Sequence, residues 1–81
     1  MPDLFIGNLH YTVETRHLES LFELNYDSFV SARVIMDEER EQNKGYGFVT
    51  LNNPDEADAA KQDLDGHLLC GKEITVKDSH R

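Results

Sequence analysis

Apolar residues recur along the chain with two different periods, and the switches between them mark out six elements. Leu4-Phe5-Ile6 opens a short strand that ends at Gly7-Asn8. Val13, Leu18, Leu21 and Phe22 then fall at helical spacing and predict an amphipathic helix from about Glu14 to Leu24. After a turn over Asn25 to Ser28, the run Phe29 to Met36 is β-branched and alternating enough for a second strand. Asp37 to Asn43 carries no apolar period and reads as a loop into a third strand, Lys44 to Leu51. A second helix start follows, with Asn53 as cap, Pro54 at the first helical position, and Asp55 and Glu56 at the positive end of the dipole. Ala57, Ala60 and Leu64 form its apolar stripe and Gly66 closes it. Leu68 to Gly71 is a compact turn into a last strand, Glu73 to Lys77.

The order strand, helix, strand, strand, helix, strand predicts an α+β fold of the ferredoxin-like βαββαβ type, a four-stranded antiparallel sheet with two helices on one face. Eighty-one residues suit a single domain, 1–81, with its ordered core at about 3–78. Strand parity assigns the faces. Leu4, Ile6, Val34, Val49, Leu51, Ile74 and Val76 pair with the helical stripes; Ala32 and Met36 share the face of Val34, and Gly47 lets a helix come close. Phe5, Arg33, Ile35, Lys44, Tyr46, Phe48, Thr75 and Lys77 are left on the open face. A sheet face that shows rings to solvent has something flat to bind.

The segment Lys44-Gly45-Tyr46-Gly47-Phe48-Val49-Thr50-Leu51 resembles the longer signature of the RNA recognition motif family at every defined position except the last. Leu4-Phe5-Ile6-Gly7-Asn8-Leu9 resembles the shorter signature, at the expected distance upstream. The resemblance spans essentially the whole chain. It implies that Phe5 and Tyr46 stack on successive bases of single-stranded RNA, that Phe48 packs against the sugars between them, and that Lys44 meets a phosphate. It further implies that Lys77 and Asp78-Ser79 leave the last strand beside the sheet, where base edges are read by main-chain groups. Asn8 is expected chiefly to shape its loop, with base contact as a second role, and Arg33 and Ile35 are further candidates on the neighbouring strand. Single-stranded DNA is a second nucleic-acid candidate. Three positions depart from the family pattern: Leu51 replaces a closing aromatic but faces inward, Asp27 stands where glycine is usual, and Lys61 narrows the second helix's stripe.

Net charge works against a simple electrostatic binder. The chain carries −8, yet Glu14 to Leu24 accounts for −2 and Asp55 to Asp65 for −4, so most of the excess sits on the helical side. Arg33, Lys44, Lys72, Lys77 and Arg81 gather on the open face or its margins, against Glu73 and Asp78. The exception is Asp37-Glu38-Glu39-Arg40-Glu41, an acidic loop that repels phosphate and holds the expected affinity down. The acidic helical face, or the exposed aromatics, would also suit a protein partner, which makes a protein-interaction module the alternative function. Nothing points to an enzyme. No serine or cysteine has a nucleophile's surroundings, and the loop Asn8-Leu9-His10-Tyr11 lacks the paired cysteines of a metal carrier or the basic anion cradle of a phosphatase. His10, His17, His67 and His80 share no ligand spacing with one another or with Cys70, so no metal or other cofactor is expected. A lone cysteine fits a reducing compartment, and no apolar run or leader-like start points to a membrane. The expected setting is intracellular, in nucleus or cytoplasm.

Overall fold

The computed structural model describes residues 3–79. Along the chain run β1 (Asp3–Gly7), α1 (Thr15–Asn25), β2 (Phe29–Asp37), β3 (Gln42–Leu51), α2 (Pro54–Leu64), the short strands β4 (Leu68–Leu69) and β5 (Lys72–Glu73), and β6 (Thr75–Asp78). The sheet order is β2-β3-β1-β6 with every neighbouring pair antiparallel, so the two signature strands lie in the centre. This is the expected ferredoxin-like arrangement.

Eleven-residue helices are too short to persist alone in water, so packing holds them. From α1, Leu18 and Phe22 are fully buried; from α2, Ala57, Ala60 and Leu64 are buried. They meet Leu4, Ile6, Val34, Val49, Leu51, Ile74 and Val76, the parity set that the sequence assigns to the core. Burying a side chain of the size of Leu18 or Phe22 contributes about 1.5–3 kcal/mol, more than any cap or surface ion pair supplies. The α2 cap is as expected: Asn53 Oδ1 accepts from the amides of Asp55 at 2.8 Å and Glu56 at 3.2 Å. Glu56 Oε1 in turn accepts from the Ser28 hydroxyl at 2.7 Å and the Ser28 amide at 3.0 Å, tying the α1–β2 turn to α2. Those two bonds hold the Glu56 carboxyl below its ordinary pKa, the hydroxyl contributing most.

Several sequence expectations need correction. The loop assigned to Asp37 to Asn43 is strand at both ends: Asp37 pairs with Gln42 and Met36 with Asn43, leaving a tight turn at 38–41. Alternation along β2 is broken twice, between Phe29 and Ser31 and between Val34 and Met36. In the second break Ile35 stands opposite three residues of β3, 44–46, and Met36 is left 46% exposed instead of sharing the core face with Val34. The turn at Leu68 to Gly71 is a two-stranded hairpin, with Leu68 opposite Glu73 and Leu69 opposite Lys72. Asn8, Glu41 and Cys70 are the described non-glycine residues with positive φ, so Asp27 occupies the usual glycine position without needing a left-handed backbone.

The sequence places Asp78 at the margin of the open face, but its position opposite Leu4 turns it toward α2. There Lys61 Nζ bridges Asp78 at 2.9 Å and Asp58 at 3.0 Å. The hydrogen bonds to Asp78 and then Asp58 raise the Lys61 pKa. The lysine that narrows the apolar stripe therefore fastens β6 to α2.

Candidate nucleic-acid interface

Antiparallel register gathers the open-face residues into transverse rows. In the middle row Arg33 is opposite Phe48, Phe48 opposite Phe5, and Phe5 opposite Lys77, so one residue from each strand lines up across the sheet. In the next row Tyr46 is opposite Gly7 and Gly7 opposite Thr75. Gly7 matters because it leaves room: a Cβ there would lie 2.7 Å from Phe5 Cε1. The Phe5 ring leans into that space toward Tyr46, and the two stack with centroids 5.8 Å apart and planes at 20°. Phe48 stands edge-on to both, 6.0 Å from each centroid. Three rings thus form one fixed cluster, with offset and edge contacts of the kind aromatic quadrupoles favour.

The cations at the ends of the middle row are held by the rings. Lys77 Nζ lies 5.3 Å from the Phe5 centroid and Arg33 Cζ 5.7 Å from that of Phe48. Contacts of this length contribute about 0.5–1 kcal/mol at exposed sites, enough to bias a flexible side chain toward one position. The result is a flat apolar centre with positive charge on both flanks, built on the side opposite the acidic helices.

Lys44 lies in a stretch of β3 that has no paired partner on β2. Gly45 at φ 94° takes a backbone conformation that side-chain-bearing residues rarely adopt, and it lies within the three-residue irregularity opposite Ile35. Alternation therefore cannot be carried from Tyr46 back to Lys44, which is exposed beside the platform's end. Ile35 is half-buried in the same irregularity. Asn8, at φ 57°, donates its amide to the Glu73 carbonyl at 2.6 Å, which is the loop-shaping role expected of it. Ser79, beyond β6, donates its amide to the Asp3 carbonyl at 3.1 Å, so the chain leaves the sheet alongside β1. Arg81 and His80 lie outside the described residues.

The sequence reading missed two groups. Asn43, assigned to a loop, is 95% buried; its Nδ2 donates to the carbonyls of His10 at 2.7 Å and Val13 at 3.0 Å, while Oδ1 accepts from Gly45 at 2.7 Å. It fastens the β1–α1 loop to the start of β3 and so fixes the approach to Tyr46. A third row, Ser31–Thr50–Asp3, continues the open face beyond Phe48. Extending the parity of Phe48 and Phe5 by one step in each strand would have found it. Among the described residues, no group of three His, Cys, Asp or Glu side chains is placed to hold a metal ion.

With the geometry established, comparison with known proteins is direct. The model of the RNA recognition motif family matches residues 4–75, and the chain belongs to that family. It is 40% identical over 73 residues to a chloroplastic 28 kDa ribonucleoprotein of Spinacia oleracea, covering 90% of this chain and 31% of that protein. Similarity to protein PES4 of Saccharomyces cerevisiae is 38% over 78 residues, 96% of this chain and 13% of that one. The chain therefore spans a third or less of the length of these relatives. Among solved structures, the second RNA recognition motif of the yeast poly(U)-binding protein Pub1 superposes with a TM-score of 0.90 at 27% identity, covering all of this chain and 96% of that one.

Proposed function

We propose that this chain binds single-stranded RNA on its open sheet face without catalysing a reaction. The carrying observation is the cluster of Phe5, Tyr46 and Phe48, flanked by ring-held Arg33 and Lys77. Successive bases lie on Phe5 and Tyr46, Phe48 meets the sugars between them, and Lys44 takes a phosphate. Stacking contributes roughly 1–3 kcal/mol per base with little regard to base identity, so two bases supply a large share of the roughly 8 kcal/mol of a micromolar complex. Support also comes from the relatives, of which the spinach protein is named a ribonucleoprotein and Pub1 a poly(U)-binding protein. A role in RNA processing or regulation follows from that kinship, and single-stranded DNA would be held by the same rings.

Few phosphates are reached, because the cations are few and the acidic turn at 38–41 stands beside Lys44. With one or two phosphate contacts, the affinity should fall only about three- to sevenfold between 50 and 200 mM salt. Titrating a short uridine-rich RNA by fluorescence anisotropy across that range checks this, and a slope steeper than about −3 in log affinity against log salt would rule it out.

A protein partner on the helical side is the second reading. A groove of about 380 Å³ runs between α1 and the β4–β5 hairpin, lined in part by Leu21, Leu24 and Leu69, with Leu24 84% exposed. Chemical-shift mapping separates the two readings: RNA should perturb Phe5, Tyr46 and Phe48, whereas a helix-docked basic partner should perturb Glu19, Glu23 and Asp58. Because the faces are opposite, both can operate in one molecule.

A further inference from the structure

Gly7 stands where neither the backbone nor the core calls for glycine. Positive φ occurs at Gly45, Gly66 and Gly71, whereas Gly7 is a strand residue without it, in a conformation open to any side chain. Glycine also weakens a strand relative to residues that have side chains to pack. Alternation turns Gly7 to the open face with Phe5, yet it is buried. We infer that Gly7 is the positioning residue of the ring platform: the room left by its missing side chain sets the Phe5 ring against Tyr46 and so sets the affinity for RNA, a role that rests on the RNA reading above.

A Cβ on residue 7 would lie 2.7 Å from Phe5 Cε1, 3.2 Å from Cζ and 3.6 Å from Cδ1. These three nearest atoms belong to one ring, which therefore lies over residue 7. From there it reaches Tyr46, the residue opposite Gly7 on β3, and the two rings stack at 5.8 Å with planes at 20°. Rings at so small an angle present nearly parallel faces, which is what two successive bases need. Lys77, opposite Phe5 on β6, holds its Nζ 5.3 Å from the same ring, so a cation is placed along with it. Ordering these groups before RNA arrives removes part of the entropy cost of binding. One missing methyl group thus governs a ring, a stack and a charge.

An added Cβ acts differently at the glycines of the two central strands. At Gly47 it meets the Arg33 carbonyl oxygen, which is main chain and cannot turn aside. At Gly7 it meets the far end of a side chain on the open face, and that ring can rotate away at little cost to the fold. A ring that rotates away leaves its stack with Tyr46 and its contact with Lys77. Alanine at this extended position also has less freedom to lose on folding than glycine has, which offsets part of the lost ring contact. Gly7→Ala therefore separates binding from stability.

The test compares Gly7→Ala, Phe5→Ala and the double variant with the parent. In the free protein, Gly7→Ala should shift the ring resonances of Phe5 and Tyr46 while the methyl resonances of Leu4, Ile6 and Val49 stay in place, with a melting temperature within about 5 °C of the parent's. Titrated with a uridine octamer by fluorescence anisotropy, it should bind about 5-fold or more weakly than the parent. Because Gly7 acts through the Phe5 ring, adding Gly7→Ala to Phe5→Ala should change the affinity by no more than about twofold. Parent-like binding by Gly7→Ala, unmoved ring resonances, or an equal loss with and without the Phe5 ring overturns this inference and leaves the RNA reading standing. So does a larger fall in melting temperature, which would mean that the ring cannot yield. Failure of the parent to bind the octamer overturns both.

Discussion

Replacing Phe5 and Tyr46 together by alanine is expected to cost at least about 30-fold in affinity for single-stranded RNA, which would take a micromolar parent to about 30 μM or weaker. On the proposed reading each ring stacks one base, and each lost stack removes roughly 1–3 kcal/mol. The rings also touch, at 5.8 Å between centroids, so the two losses will not simply add: deleting one leaves the other less firmly held. The loss should be specific to binding. Both residues are half-buried on the open face, whereas the core is formed by the alternate positions Leu4, Ile6 and Val49. An amide spectrum with native dispersion shows that the double variant is folded, and affinity within threefold of the parent would remove the basis for the RNA reading. A second outcome is informative too. If the variant loses RNA but keeps a protein ligand, the two faces work independently.

The largest expected effect on stability comes from Gly47→Val. A Cβ on residue 47 would lie 2.5 Å from the Arg33 carbonyl oxygen, and 3.1 Å from both Leu18 Cδ1 and Val34 Cα. Two of these neighbours are β2 main chain, which cannot rotate away, and the third is a fully buried helix residue. Overpacking in a close-packed interior costs about 1–3 kcal/mol and sometimes more, and Val adds two methyl groups to the offending carbon. A domain of this size has roughly 4–12 kcal/mol to lose, so about 3 kcal/mol should lower the melting temperature by about 12–24 °C. Thermal unfolding followed by circular dichroism measures this; a shift under 2 °C would show that β2 and α1 yield more easily than their packing indicates. Glycine fits at this point because the Arg33 carbonyl and the Leu18 side chain leave no room for a larger residue.

The two sites of prediction differ in how readable they are from sequence. The ring platform is legible because strand alternation is a local rule: Tyr46 and Phe48 are two apart, and no bulge intervenes between them. Lys44 lies two residues on the other side of Tyr46, but the irregularity around Gly45 breaks the rule there. Met36 fails for the same reason, since the mismatch of three β3 residues against Ile35 interrupts the alternation between Val34 and Met36. Asn43 was hidden by its polarity. A buried asparagine is worth its desolvation only when all its groups are bonded, and its partners, the carbonyls of His10 and Val13, lie about thirty residues away. The pairing of Lys61 with Asp78 likewise depends on β6 lying next to α2. Asp3 and Thr50 could have been found by parity, but nothing in the sequence says that their side chains meet.

The separation of rings from carboxylates has a further consequence when set against the reach of charge in salt water. The shortest dimension of the molecule is 21 Å. At physiological ionic strength the Debye length is about 8 Å, so a phosphate on the platform would be largely screened from the acidic helices and would respond chiefly to the charges on and beside the open face. In dilute buffer near 0.01 M that length grows to about 30 Å, longer than the molecule is thick, and the full negative charge of the chain reaches through to the sheet. Most nucleic-acid binders tighten steadily as salt is withdrawn. Here the gain should level off, because dilution strengthens the attraction of two or three near cations and the repulsion of many distant carboxylates together. The fold thus uses its own thickness, and the salt of its surroundings, as the insulation between two faces of opposite character.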